Sequence, residues 1–233
     1  MPQYAFKPPS IVAVTIRGSE ELYPLRRIFC VGRNYEAHAA EMGATVDREA
    51  PFYFSKSAHA YAPSGSTIPY PPGTQNFHYE MELVIALGAA AFQLPREEST
   101  KVIFGYACGL DMTRRDLQYA ARDQRRPWDL GKDFESAAVL APIARASDCG
   151  HPVSGKIELR VNGAQRQSSN LSLLIHPVSA IVSDLSKYYH LGAGDIIYTG
   201  TPEGVGAVVP GDELAGSIAG IGDIDLKIGV AAT

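Results

Sequence analysis

Apolar positions along this chain fall in short dense runs broken by Gly, Pro and Asn, the pattern of strands and turns rather than of long helices. IVAVTIRG (11–18) alternates and ends at Gly18, and RIFCVG (27–32) closes on Gly32. ELRVNGAQRQ (158–167) sets Asn162-Gly163 between two strand-like runs, a hairpin signal. KVIFGYACGLDM (101–112), DIIYTG (195–200) and DIDLKIGV (223–230) are rich in β-branched and aromatic residues and read as further strands. The Pro- and Gly-rich stretches 62–76 and 200–206 read as ordered loops in a β-rich body.

Helical spacing shows in three places. HPVSAIVSDLSKYYHLG (176–192) has Pro177 in its first turn, Val178, Ile181, Val182 and Leu185 on one face, and Gly192 as its expected stop. TRRDLQYAARDQRRP (113–127) predicts a helix capped by Thr113 and ended by Pro127. NYEAHAAEMG (34–43) predicts barely two turns, from Asn34 as cap to Gly43, and a helix that short depends on packing or a ligand.

With 233 residues, 25.0 kDa and 45% hydrophobic content, the chain can bury a substantial core and is expected to be a single domain, 1–233. A formal charge of −4 and no basic run argue against a nucleic-acid partner. The N-terminus lacks a signal-peptide pattern and no window is apolar enough to span a membrane, so the cytoplasm is the expected compartment. Cys30, Cys108 and Cys149 lack CxxC spacing and are expected to be reduced thiols rather than disulfides or a zinc site.

HYEMELVIAL (78–87) carries the chemistry. In a strand, residues two apart share a face, so Glu80 and Glu82 point the same way from a segment apolar enough to be internal. Two unpaired buried carboxylates are costly, and a cation must answer them. Either basic side chains pair with them individually, or one hard divalent ion is gripped by both. Asp111, closing the strand-like run before the 113–127 helix, is placed to be a third oxygen donor for Mg2+ or Mn2+. On the short helix, His38 and Glu41 lie three apart, so a carboxylate can fix the imidazole tautomer and leave the other nitrogen free as a base. Neither phosphate-cradling glycine motif occurs.

Taken in order, RIFCVGRNYEAHAAEMG, FYFSKSAHAYAPSGSTIPYP, HYEMELVIALG, GYACGLDMTRRDLQ, RPWDLGKDF, LRVNGAQRQ and GDIIYTGTPEGVG resemble the fumarylacetoacetate hydrolase family. The resemblance implies an α+β, β-rich fold, a mixed β-sandwich or β-roll with a few short helices, in a homodimer. It implies one Mg2+ or Mn2+ per subunit on Glu80, Glu82 and Asp111, a lid over 34–48 carrying the His38–Glu41 dyad, and Lys132 as a catalytic lysine. Arg33, Arg115, Gln118 and Thr201 match positions that contact substrate in related proteins. Residues 1–25 are left as an N-terminal strand extension.

The implied activity is metal-dependent hydrolysis of the carbon–carbon bond of an acylpyruvate, fumarylpyruvate above all, in aromatic-acid breakdown. Lys132 and Gln118 are then expected to stabilise the oxyanion. Oxaloacetate decarboxylation, 2-oxo-dienoate isomerisation or hydration, and a non-catalytic metal- or carboxylate-binding module are the alternatives. Two positions depart from the family pattern: Ser57 stands where proline is common, and Asp133 follows Lys132 where a small residue is usual. Asp133 is expected either to pair with Lys132 or to point away, and Lys56 to pair with a carboxylate beneath the site.

Overall fold

The computed structural model describes residues 3–43 and 45–231. Met81–Leu87 is buried at every position, so both of its faces are covered, and it has a strand on each side: Ile103–Asp111 on one and Asp195–Tyr198 on the other, both antiparallel to it. It is the middle of an eight-stranded sheet. Phe52–Lys56, Arg27–Gly32 and Asp195–Tyr198 lie to one side of it. Ile103–Asp111, Ala138–Leu140 and Tyr61–Pro63 lie to the other, with Ala144–Arg145 pairing off Ile103–Asp111.

A five-stranded sheet runs in the order Ala164–Asn170, Lys156–Val161, Glu213–Ile218, Gly222–Gly229, Ser66–Pro69. Its strands alternate buried and exposed positions, as in Gly222–Gly229, so one face is solvated and the other joins the core. A three-stranded sheet is formed by Thr113–Arg114, Phe77–Tyr79 and Gly206–Val208. The architecture is thus β-rich with few helices, as the sequence pattern requires.

The Asn162-Gly163 hairpin forms with both residues at positive φ (51° and 77°), the conformation a type I′ turn needs. The helices are short: α1 Glu36–Glu41, α2 Arg115–Asp123, α3 Asp129–Lys132, α4 Ala146–Cys149 and α5 Val178–Leu185.

Several boundaries differ from those the sequence suggests, each through a tertiary partner. Asn34 is not the cap of α1, a position taken by Tyr35. Its amide instead donates to the carbonyls of His176 and Thr199 and accepts from the His176 N–H. Thr113 is a strand residue paired with His78, and α2 begins two residues later. Pro127 lies beyond the end of α2 at Asp123.

Helix α5 stops well short of Gly192. The Ser186 hydroxyl turns back to the Ser183 carbonyl, while its own carbonyl accepts from the Gln93 N–H. Residues 62–76 are not all loop, since Ser66–Pro69 pairs in parallel with Gly222–Gly229. IVAVTIRG shrinks to the strand Ala13–Thr15, which pairs with Leu22–Pro24.

Candidate active site

Glu80 lies where one extended segment leaves the three-stranded sheet at Tyr79 and enters the eight-stranded sheet at Met81. Its carbonyl accepts from the Asp111 N–H, which locks the end of the neighbouring strand against it. Glu82 stands opposite Gly109, where a Cβ would strike Val84 and Tyr198. The pairing brings the three carboxylates together: one oxygen each from Glu80, Glu82 and Asp111 lie within 4.8 Å of one another, all buried.

Three basic side chains answer them, but not one to one. The Lys132 ammonium donates to Glu80 Oε2 and Asp111 Oδ2, both at 2.7 Å, and to the Thr113 hydroxyl at 2.8 Å. Arg115 pairs with Glu80, and Lys56 Nζ lies 2.8 Å from Asp111 Oδ1 while donating to the Met112 and Lys132 carbonyls. Glu82 has no basic partner among the described residues; the Gly200 N–H donates to its Oε2 at 2.6 Å. Burial pushes the Glu80 carboxyl up, yet Lys132 and Arg115 outweigh burial and hold it well below the usual carboxylate range. Burial, with the charges of Asp111 and Glu80, pushes Glu82 well above that range.

A hard divalent ion fits this donor set. It would meet three converging oxygens, and it would answer the one carboxylate that the lysines and arginine leave unneutralised.

Lys132, expected as a catalytic lysine, is fully engaged in this geometry. An ammonium has three protons, and here all three are taken, so none is spare for a substrate oxyanion. Lys132 gets there because α3 packs on α2 without intervening side chain: a Cβ on Gly131 would lie 2.8 Å from the Gln118 backbone nitrogen. Asp133 points away and accepts from the Ser57 N–H at 2.8 Å. The two departures from the family pattern are therefore bonded to each other, since a proline at 57 would have no N–H to give.

Above the carboxylates sits α1. His38 is buried, and its Nδ1 is 3.3 Å from Glu41 Oε2, a long hydrogen bond that leaves Nε2 free. Burial holds the imidazole below its ordinary value, although the charges of Glu80 and Glu41 pull the other way. Glu41 also accepts from the Gly204 N–H, which ties the helix to the TGTPEGVG loop. The expected lid is held at its ends by Asn34 and by a contact of His176 Nε2 with the Asp47 carbonyl. Residue 44, within it, lies outside the described residues.

The cleft between α1 and α2 has about 540 Å3 of space, its open mouth included. It is lined by every sequence-derived candidate except Glu41: Arg33, His38, Glu80, Glu82, Asp111, Arg115, Gln118, Lys132 and Thr201. Arg115 is committed to Glu80 and to Gln118 Oε1, which leaves its buried Nε without a partner. Because Gln118 Oε1 accepts from Arg115, its NH2 is free to donate into the cleft. The Thr201 hydroxyl accepts from Gln167 Nε2 and keeps its own proton to donate.

Gln167, which sequence reasoning missed, also accepts from the Met81 N–H and donates to the Pro202 carbonyl. It joins the ExE strand to the TPEG loop, and its only sequence signal is its place as the last residue of the hairpin run. Tyr119, Arg122, Phe54 and Trp128 line the cleft too and were likewise missed. For Tyr119 and Arg122 the signal was available, since they continue the spacing of Arg115 and Gln118 along one face of α2.

A buried three-carboxylate cluster at a sheet crossing, beneath a short helix bearing a His–Glu pair, is an acidic site of a kind that could hold a metal ion. Residues 27–228 match the fumarylacetoacetate hydrolase C-terminal family, and the chain belongs to that family. It is 53% identical over 193 residues to the fumarylpyruvate hydrolase of a Ralstonia species, covering 82% of this chain and all of that one. It is 38% identical over 203 residues to the mitochondrial oxaloacetate tautomerase of Rattus norvegicus, covering 87% and 91% of the two chains. The structure superposes with a TM-score of 0.95 on the fumarylpyruvate hydrolase of Pseudomonas aeruginosa in complex with Mn2+ and pyruvate. That pair is 46% identical, with 98% of this chain and all of that one covered.

Proposed function

We propose that this chain is a metal-dependent hydrolase that cleaves the carbon–carbon bond of an acylpyruvate, fumarylpyruvate foremost, in aromatic-acid breakdown. The observation that carries the reading is the convergence of Glu80, Glu82 and Asp111 within 4.8 Å, facing the cleft that His38 also lines. The likeness to enzymes named for fumarylpyruvate, one of them holding Mn2+ and pyruvate, supports it.

Hydrolysis between two carbonyls adds water across the bond. Hydroxide joins the acyl carbon, the bonding pair leaves with the pyruvate fragment as an enolate, and a proton is returned to the enolate carbon, which becomes the methyl of pyruvate. Mg2+ or Mn2+ held by Glu80, Glu82 and Asp111 would supply Lewis-acid stabilisation to the oxygens of the 2-oxo acid. His38, neutral at pH 7 because burial lowers its affinity for protons, takes the proton from water at Nε2. Glu41 orients the ring through Nδ1.

The Gln118 NH2 donates to the oxyanion that forms at the acyl carbon, and the Thr201 hydroxyl and Arg115 Nε meet the 2-oxo acid carboxylate. Lys132 keeps Glu80 and Asp111 ionised and aimed.

The deciding experiment follows loss of the enolised diketone absorbance for fumarylpyruvate, acetylpyruvate and oxaloacetate, each with Mg2+, Mn2+ and chelator. Metal-dependent loss of fumarylpyruvate that disappears in His38→Ala is the expected result. Undiminished hydrolysis in His38→Ala would show that the base is wrongly assigned. A second reading, tautomerisation of oxaloacetate, draws on the mitochondrial relative, and it needs proton transfer but no attacking water. The oxaloacetate arm tests it: enol absorbance lost with oxaloacetate but with neither acylpyruvate would favour tautomerisation.

Residues 34–48 form a lid that substrate binding tightens in this reading, and equal amide exchange with and without a non-hydrolysable analogue would refute that. A homodimer, each chain a single catalytic domain in the cytoplasm, completes it, and light scattering checks the dimer. No helix among the described residues is long and apolar enough to cross a membrane.

A further inference from the structure

The wall that α2 presents to the cleft is graded. Arg115, Gln118, Tyr119 and Arg122 all face the cleft, from Arg115 and Gln118 buried beside the carboxylates to Arg122, whose side chain is 38% exposed. Arg122 also lines an adjoining hollow with Arg33, Arg125, Arg126 and Trp128, so the mouth of the cleft is strongly basic.

Among the described residues, the acidic ones lining the cleft are the three floor carboxylates, and Asp129 alone lines the hollow. Arg33 forms no ion pair among the described residues; its guanidinium lies 5.7 Å from the centre of the Phe52 ring. It is held there by a backbone at φ 58°, an uncommon conformation for a residue with a side chain. Arg122 lies 4.6 Å from the centre of the Tyr119 ring and, among the described residues, bonds only its exposed neighbour Asp123, at 3.0 Å. An exposed pair of that kind holds a guanidinium weakly.

Dimensions connect the two ends. Arg115 and Arg122 are seven residues apart on one helix, about 10 Å along its axis. A seven-carbon 2-oxo diacid has six carbon–carbon bonds between its carboxylate carbons, about 8 Å when extended. With the pyruvoyl end at the floor, the far carboxylate reaches the guanidiniums at the mouth, and the chain between crosses Tyr119, Phe54 and Trp128.

We propose that Arg122 is a specificity-determining residue that reads a second carboxylate at the far end of the acyl chain, with Arg33 beside it. The cleft then favours 2-oxo acids ending in a carboxylate over those ending in a methyl group. This rests on the reading that the pyruvoyl end lies at the carboxylate floor.

The test uses the full chain loaded with Mn2+ and two non-hydrolysable probes, 2-oxoheptanedioate and 2-oxoheptanoate, titrated by calorimetry. The wild type is expected to bind the diacid about tenfold tighter or more, as charge-assisted hydrogen bonds imply. Arg122→Gln should bring the two within about threefold, and Arg122→Lys should restore part of the preference. In kinetics, the kcat/KM ratio of fumarylpyruvate to acetylpyruvate should fall about tenfold in Arg122→Gln, mostly through KM.

No preference in the wild type overturns the inference. So does an equal loss for both probes, or a preference that disappears in Arg33→Gln but survives in Arg122→Gln. A wild type that cleaves neither diketone yet keeps an Arg122-dependent preference for the diacid defeats the hydrolase reading and supports this one.

Discussion

Gly200 joins the lid, the TPEG loop and the carboxylate floor, and Gly200→Ala measures what that junction is worth. Its φ is +97°, and a Cβ built there lies 2.7 Å from the Asn34 Cβ and 3.2 Å from the Val31 carbonyl oxygen. Asn34 cannot retreat easily, since its amide is bonded three ways to His176 and Thr199. The strained backbone costs about 1–3 kcal/mol. Crowding in a packed interior adds about 1–3 kcal/mol.

Taking the lower part of both ranges, since movement at one site relieves the other, we expect a loss of about 3 kcal/mol. For a chain of this length that corresponds to a fall of about 6–12 °C in Tm. Gly211→Ala is the matched control. Its φ is +98°, but nothing lies within 4 Å of the added carbon, so it reports the backbone cost alone.

Because the Gly200 N–H donates to Glu82 Oε2, the same substitution should weaken Mn2+ binding, and Gly211→Ala should not. Urea unfolding of both variants, with calorimetric titration of Mn2+, gives both quantities. If Gly200→Ala were no more destabilising than Gly211→Ala and bound Mn2+ like the wild type, the close approach would carry none of the weight assigned to it.

Other consequences follow from the same contacts. Asn34→Ala strands the His176 N–H and two buried carbonyls and should cost about 2–4 kcal/mol in denaturant unfolding, with faster amide exchange in α1; a loss under about 0.5 kcal/mol would contradict this. Since burial lowers the His38 pKa, the acid limb of the kcat/KM profile should lie below the ordinary histidine value of about 6.5 and vanish in His38→Gln. The same shift means that this group's contribution to stability is full above about pH 6.5 and falls away as the pH drops toward the folded value, because the unfolded chain binds the proton more readily. Lys132→Met leaves Glu80 and Asp111 short of counter-charge and should cost about 3–5 kcal/mol. Mn2+ at a hundredfold its Kd should return about 2.7 kcal/mol to any variant that still binds it, so a Lys132→Met protein as stable as the wild type without metal would show the lysine to be dispensable.

Features that depend on local period and local geometry were legible in the order of residues. Alternation and apolar runs gave the central strands, Asn162-Gly163 supplied the two positive-φ residues of its turn, and the two-residue period set Glu80 and Glu82 on one face. Spacing of three put Glu41 within reach of His38. The ordered run of motifs gave the family. Helix boundaries were not legible, because Asn34, Thr113 and Ser186 have side chains or backbone groups taken by residues tens of positions away, and a tertiary bond outweighs a capping preference of about 1 kcal/mol.

The division of labour among the charges was hidden too. Three bases and three carboxylates can be paired in many ways, and only packing decided that Glu80 and Asp111 take all the bases while Glu82 faces a backbone N–H. Direct contact of α3 with α2 through Gly131, and the Ser57–Asp133 bond, turn Lys132 inward and occupy all its protons. Those outcomes rest on distances between segments remote in the chain, and residue type and spacing say nothing about such distances until the sheets have formed.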